Sequence, residues 1–222
     1  MNFESALTPK TANLIEKVSQ LECIKPYILV GGTALALQIR HRKSEDIDFM
    51  KWKTSQNKPE VNWYEIEKEL ETIGVVKSKD ILDINQVLFN VDDVKLSFYA
   101  PDKYSPIIST IPFLNNVLLA DIISIMAMKM EVLLRRSNFR DYYDIYAILK
   151  YGVHFNDAIS LAVSYSGHHL KTKNLISMLA NGERFFIDTD FPSLDPIYNV
   201  TPAEIEKFII EHLKENNLSI VK

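Results

Sequence analysis

A single cysteine, Cys23, stands among 222 residues, so no intramolecular disulfide can form and no cysteine-rich zinc site can be built. It reads as a small buried hydrophobe. Excess positive charge is also missing: 25 Lys and Arg stand against 29 Asp and Glu, a net charge of −4. That balance argues against a general nucleic-acid coat and leaves RNA binding to a local patch. Long hydrophobic runs are absent too. The most apolar stretch, Leu114 to Leu134, is interrupted by Asp121, Lys129 and Glu131, the pattern of a core helix rather than a membrane span. The opening MNFESALTPK carries neither a basic n-region nor an apolar h-region, so no signal peptide and a cytoplasmic location are expected. There are no repeats and no low-complexity tract. An apolar share of 47% fits a globular chain with a real core, arranged as one large domain or two small ones.

What the chain does have is concentrated between Tyr27 and Met50, YILVGGTALALQIRHRKSEDIDFM. Tyr27 to Val30 reads as a short strand, broken by Gly31-Gly32. Thr33 is placed to cap a helix whose Leu35, Leu37 and Ile39 pack on a sheet. Arg40-His41-Arg42-Lys43 gathers positive charge ahead of Ser44, and Asp46-Ile47-Asp48-Phe49 opens a second strand. Side chains alternate along a strand, so Asp46 and Asp48 share one face. Two adjacent carboxylates repel unless a cation lies between them, and Mg²⁺ with oxygen ligands is the natural occupant. The glycine pair lets backbone approach a phosphate, and the following helix N-terminus attracts it. A glycine turn or an Asp-x-Asp strand alone is usually structural; the two in this order, a helix apart, point to nucleotidyl transfer.

This stretch resembles the first motif of polymerase β-type nucleotidyltransferases. More narrowly, GGTALAL, an arginine-containing loop and SEDIDF are similar to the AbiEii/AbiGii toxins of abortive-infection and type IV toxin–antitoxin systems. The resemblance extends to Ala127-Met128-Lys129 and to Arg140-Asp141-Tyr142-Tyr143-Asp144-Ile145-Tyr146. It implies an α/β nucleotidyltransferase domain with a small mixed sheet, residues 1–112, followed by an α-helical domain, residues 113–222, that completes an active-site cleft. It also implies transfer of a nucleoside monophosphate from an NTP to a hydroxyl, with Mg²⁺ on Asp46 and Asp48. Gly31, Gly32, Thr33 and Ser44 would form the phosphate cradle, with Arg42 or Lys43 offsetting its charge. Lys129 would stabilise developing negative charge, and Asp141 or Asp144 would act as its orienter or as a base. A tRNA 3′ end is the acceptor the family suggests, and an antitoxin encoded next door the implied partner. Polymerase β-type enzymes commonly carry a third carboxylate on a strand where this chain offers Ser97. The alternatives are a transferase acting on a small molecule or protein, and a catalytically silent nucleotide- or partner-binding module.

The remaining chain reads as scaffold. Residues 8 to 21 form an amphipathic helix with Leu14, Ile15, Val18 and Leu21 on one stripe. A helix is expected from Pro59, with Trp63, Ile66, Leu70 and Ile73 at helical spacing up to Gly74. Asp83 to Ala100 reads as a hairpin turning at Asp92-Asp93. Pro101 to Pro112 reads as an irregular connection, Asn116 to Arg136 as one long helix, and Arg140 to Lys150 as another. For Lys129, a lysine snorkelling from a helix flank is the bland alternative; for Asp141, a first-turn charge complementing the helix dipole. Tyr142, Tyr143 and Tyr146 read as packing residues, His168-His169 as surface, and Asp188 to Pro196 as a draped loop. Thr201 and Glu204 form a capping box opening a last helix, with Ile205, Phe208, Ile209 and Leu213 buried.

Overall fold

The computed structural model describes residues 3, 5–55, 60–216 and 218. The chain divides into two compact units, Met1–Asp121 and Ile122–Lys222.

The first unit opens with helix α1 (Pro9–Val18), whose proline at the first helical position presets the backbone and whose Leu14, Ile15 and Val18 are buried as their spacing requires. Strand β1 (Ile28–Val30) runs without a loop into helix α2 (Gly31–Ile39), and β2 (Ile47–Met50) follows. After helix α3 (Trp63–Leu70) come β3 (Val76–Asp83), β4 (Gln86–Val91), β5 (Val94–Tyr99), β6 (Thr110–Leu114) and β7 (Val117–Ala120). The strands form one seven-stranded sheet in the order β3-β4-β5-β2-β1-β7-β6. It is mixed: β2 runs parallel to β5 and β1 parallel to β7, while the other neighbours are antiparallel. Phe49 of β2 stacks on Phe98 of β5 at 5.4 Å, and Tyr27 meets Phe98 edge-on at 5.2 Å. The sheet's buried face is therefore an aromatic layer that fixes the β2–β5 pairing.

The expected hairpin is present. Asp92 and Asp93 both adopt positive φ, 51° and 68°, which matches the twist of a two-residue hairpin turn. The Asp93 carboxylate also pairs with Lys10, at 2.9 Å, and with Lys77. Three parts of the sheet differ from expectation: β6 takes Thr110 to Pro112 out of the expected irregular connection, because it pairs with β7. β3 is an edge strand with most of its residues exposed, so it carries no apolar alternation to read. Val117–Ala120, expected as the start of a helix, is instead a strand between β1 and β6, with Leu119 in register with Leu29. A four-residue apolar run has no period of its own, and pairing with β1 decides it. The long helix consequently begins only at Ile122, and the division between units falls after Asp121 rather than after residue 112, because β6 and β7 complete the sheet. The expected start of the third helix at Pro59 lies outside the described residues; the helix observed starts at Trp63 and buries Ile66 and Leu70. Cys23 is half-buried rather than fully buried, and its thiol is pushed up to about 12 by burial and by the neighbouring Glu69 carboxylate.

The second unit comprises α4 (Ile122–Val132), α5 (Phe139–Lys150), α6 (Phe155–Tyr165), α7 (Thr172–Leu179) and α8 (Pro202–Glu215). All three tyrosines of α5 are buried packing residues. Tyr142 lies flat on Phe185 at 4.0 Å and donates to the Leu179 carbonyl at 2.7 Å. The segment 188–196 is anchored rather than draped: Phe191 is buried edge-on against Phe139 and Tyr143, both at 4.9 Å, and Arg140 reaches Asp190 at 2.6 Å. The capping box at Thr201 is formed as expected, with both reciprocal bonds to Glu204, and Ile205, Ile209 and Leu213 are buried. His168 and His169 are exposed. Among the described residues no helix is long and apolar enough to cross a membrane.

Candidate functional site

The polar face of β2 is the centre of the first unit's site. Ile47 and Phe49 are buried while Asp48 and Met50 are half-exposed, so the strand's alternation puts Asp48 on its accessible face; Asp46, also half-exposed, stands just before the strand. β1 pairs with β2 so that Val30 lies opposite Asp48. Gly31, the next residue, therefore turns directly beside the carboxylate. Its φ is +68°, and a Cβ there would stand 2.8 Å from Asp48 Oδ2. Glycine is required here twice over, by its backbone conformation and by the carboxylate beside it. On the other side of β2, Ser97 of β5 is in register with Asp48, and its hydroxyl donates to Asp48 Oδ1 at 2.5 Å.

Gly32 has a different neighbour. A Cβ on it would meet Arg42 Nη2 at 2.6 Å and Ser44 Oγ at 3.3 Å, so the guanidinium rests on the glycine at the start of α2. Arg42 is buried, and its Nη1 donates to the Lys43 carbonyl at 2.9 Å. The basic loop is thus turned inward: His41 and Arg42 are buried, Lys43 is half-exposed and Arg40 is exposed. Thr33 does not cap the helix. α2 already begins at Gly31 after Val30, without a side-chain cap. The buried Thr33 hydroxyl instead lies within hydrogen-bonding reach of the Ser44 hydroxyl, at 2.8 Å, and of the Asp46 carbonyl. It latches the helix start to the loop that carries the aspartates. The same loop is held from outside by α1, where the Thr11 hydroxyl donates to the Glu45 carbonyl at 2.8 Å, and by the Ser44 amide, which donates to the Ala6 carbonyl at 2.9 Å. Of the three apolar residues expected to pack from α2, Leu35 is fully buried, while Leu37 and Ile39 are half-buried. Ala34 and Ala36 complete its core face.

The second unit holds a buried charge cluster. Lys129 of α4 is neither a snorkelling flank residue nor an open cation: its ammonium lies 3.0 Å from Asp141 and 2.6 Å from Asp144, and its side chain is 9% exposed. Arg136 contributes a second cation to Asp141, at 2.8 Å. Asp141 and Asp144, three apart on α5, share the face that meets Lys129. Burial alone pushes the Asp141 carboxyl upward, but Lys129 and Arg136 beside it outweigh that and hold it below its ordinary 3.8. A depressed carboxylate contributes stability that is complete above its unfolded value and is lost as pH falls through the folded one. Wild type should therefore lose more stability between pH 5 and pH 2 than Asp141→Asn, as read by urea midpoints at each pH. Glu131 and Arg135, not anticipated as partners, form a two-point pair at 2.7 and 2.6 Å; their i,i+4 spacing was a usable signal. Arg136 offered none, since its partner is reached across a turn.

The donor set fits a small hard cation. Asp46 and Asp48 are two half-exposed carboxylates two residues apart, and among the described residues no group of three or more His, Cys, Asp or Glu gathers to hold a metal. Two carboxylates suit Mg²⁺, which takes its remaining ligands from phosphate and water.

The family described as "Nucleotidyl transferase AbiEii toxin, Type IV TA system" matches residues 16–215. The chain belongs to this family. An uncharacterized Aquifex aeolicus protein is 29% identical over 143 residues, 61% of this chain and 64% of that protein. The AbiEii chain thus spans less than two thirds of that relative. Among solved structures, Helicobacter pylori JHP933 is similar over 96% of this chain and 97% of its own, at 18% identity and a TM-score of 0.51. The Mycobacterium tuberculosis nucleotidyltransferase toxin MenT4 is similar over 93% and 85%, at 13% identity and a TM-score of 0.49. At 18% identity the likeness to JHP933 concerns the fold alone, the mixed α/β architecture that the resemblance implied.

Proposed function

We propose that this AbiEii-family chain is a Mg²⁺-dependent nucleotidyltransferase that moves a nucleoside monophosphate from an NTP to a hydroxyl of an RNA, with a tRNA 3′ end as the acceptor. The observation that carries the reading is the setting of Asp48, held between the positive-φ Gly31 and the Ser97 hydroxyl on the accessible face of β2. Asp46 and Asp48 would hold Mg²⁺ against the triphosphate. When bound, the ion supplies charge neutralisation for the phosphates and the departing pyrophosphate. Gly31 and Gly32 admit a phosphate close to the backbone, and the N-terminus of α2 favours its negative charge. Thr33 and Ser44 hold that turn to β2, and Arg42 and Lys43 offset phosphate charge. Lys129 is assigned the stabilisation of developing negative charge, with Asp141 and Asp144 as its orienters. The toxin role follows from family membership, and with it an antitoxin encoded by a neighbouring gene, which need not bind the toxin directly.

The test is transfer of each α-labelled NTP in turn to total tRNA with Mg²⁺. Label on RNA from one NTP, dependent on Asp48, is the expected result and names the nucleotide. Label on no RNA, with Mg²⁺-dependent NTP binding retained, would replace this reading by another acceptor or a silent binding module. No NTP binding would overturn the assignment of residues 27–50.

A further inference from the structure

We infer that Ser97 is a positioning residue that makes cation capture at this site depend on bound nucleotide. The inference rests on the nucleotidyltransferase reading and goes beyond it to the order in which the site fills.

β5 lies beside β2 in parallel register, and Ser97 is the residue opposite Asp48. It is half-exposed between buried Leu96 and Phe98, so it stands on the accessible face with Asp48. A carboxylate at that position would complete a three-acid site able to hold a divalent cation unaided. A hydroxyl does something else. It contributes no charge, and its hydrogen bond engages Asp48 Oδ1 at 2.5 Å, while Oδ2 packs beside the Gly31 turn. The carboxylate is thus fixed in one orientation from both sides. Asp48 nevertheless stays half-exposed on the accessible face of β2.

Two carboxylates leave most positions around a six-coordinate cation to water or phosphate. Mg²⁺ gives up its water reluctantly, so a two-acid site binds it weakly until a triphosphate adds its own oxygens. Such coupling is reciprocal: the nucleotide must tighten the cation by the same factor as the cation tightens the nucleotide. Ser97 sets this device in two ways. It withholds a third charge, and it holds Asp48 in the orientation that the nucleotide-bound cation needs.

The experiment uses the full chain and Mn²⁺ as an observable substitute, with free Mn²⁺ followed by electron paramagnetic resonance. Titrations are run on protein alone and with each of four α,β-methylene nucleoside triphosphates, corrected for Mn²⁺ held by nucleotide alone. Wild type is expected to bind Mn²⁺ at least about tenfold more tightly with its nucleotide than without. Ser97→Asp is expected to bind Mn²⁺ without nucleotide and to lose most of that coupling. Ser97→Ala is expected to lose about tenfold in nucleotide-dependent Mn²⁺ affinity, and Ser97→Thr, which keeps the hydroxyl, to recover it. Equal Mn²⁺ affinity in wild type with and without nucleotide would overturn the inference. So would a folded Ser97→Ala indistinguishable from wild type in Mn²⁺ binding. Either result alongside intact label transfer leaves the nucleotidyltransferase reading standing, whereas wild type that binds neither Mn²⁺ nor nucleotide overturns both.

Discussion

Asp48→Ala is expected to lower label transfer by about a thousandfold or more, roughly 4 kcal/mol of transition-state stabilisation, while the protein stays folded. The carboxylate is half-exposed, and a second half-exposed acid, Asp46, stands two residues away. Removing it therefore relieves repulsion and leaves only the Ser97 hydroxyl in need of a new acceptor, which water can supply. The thermal midpoint should move by no more than a few degrees, as expected for a stability change of about 1 kcal/mol. Asp48→Asn sharpens the test. The amide oxygen can still accept from Ser97, so shape and hydrogen bond survive and only the charge is lost. A comparable fall in single-turnover rate for both variants assigns the effect to the charge. Asp48→Asn retaining near wild-type transfer would remove Asp48 from the metal-binding role.

Lys129→Met is expected to act on stability instead, costing about 3–5 kcal/mol. Asp144 is fully buried with the Lys129 ammonium at 2.6 Å, and Asp141 is 4% exposed with the same ammonium at 3.0 Å. Arg136 remains to serve Asp141 at 2.8 Å, but losing the lysine removes the cation shared by both acids from a region with little solvent to replace it. The double variant Lys129→Met, Asp144→Leu exchanges both charges for apolar groups of similar size and should recover most of the loss, because a buried pair roughly balances its own desolvation. Urea denaturation measures both. The double variant also separates two roles that the single one confounds. If it is stable yet transfers no label, Lys129 or Asp144 has a part in the chemistry; if it is stable and active, the cluster serves only to hold α4 on α5.

The motif was legible because its parts are local. A glycine pair, a helix and two aspartates two apart in sequence need only the periodicities of strand and helix to be read, and Gly31 turns beside Asp48 on the accessible face of β2. The hairpin at Asp92-Asp93, the capping box at Thr201 and the tyrosine packing of α5 were readable for the same reason. What failed to show locally was decided by partners far along the chain. Val117–Ala120 became a strand because β1 was there to pair with it. Thr33 became a latch rather than a cap because Ser44 and the Asp46 carbonyl lie across from it. Lys129 read equally as a lysine snorkelling from a helix flank until tertiary packing placed two carboxylates of α5 on it.

The sequence by itself determined the family, the alternation that buries Ile47 and Phe49 and leaves Asp48 half-exposed, and the glycine that only a positive-φ turn beside a carboxylate requires. Those are properties of neighbours along a chain, where backbone geometry leaves few choices. Only the tertiary structure decided that Arg42 lies inward over Gly32 and that Ser97 donates to Asp48. Those contacts join a helix to a loop and one strand to another across 49 residues of sequence. Their energy arises only when the sheet register brings the partners within bonding distance.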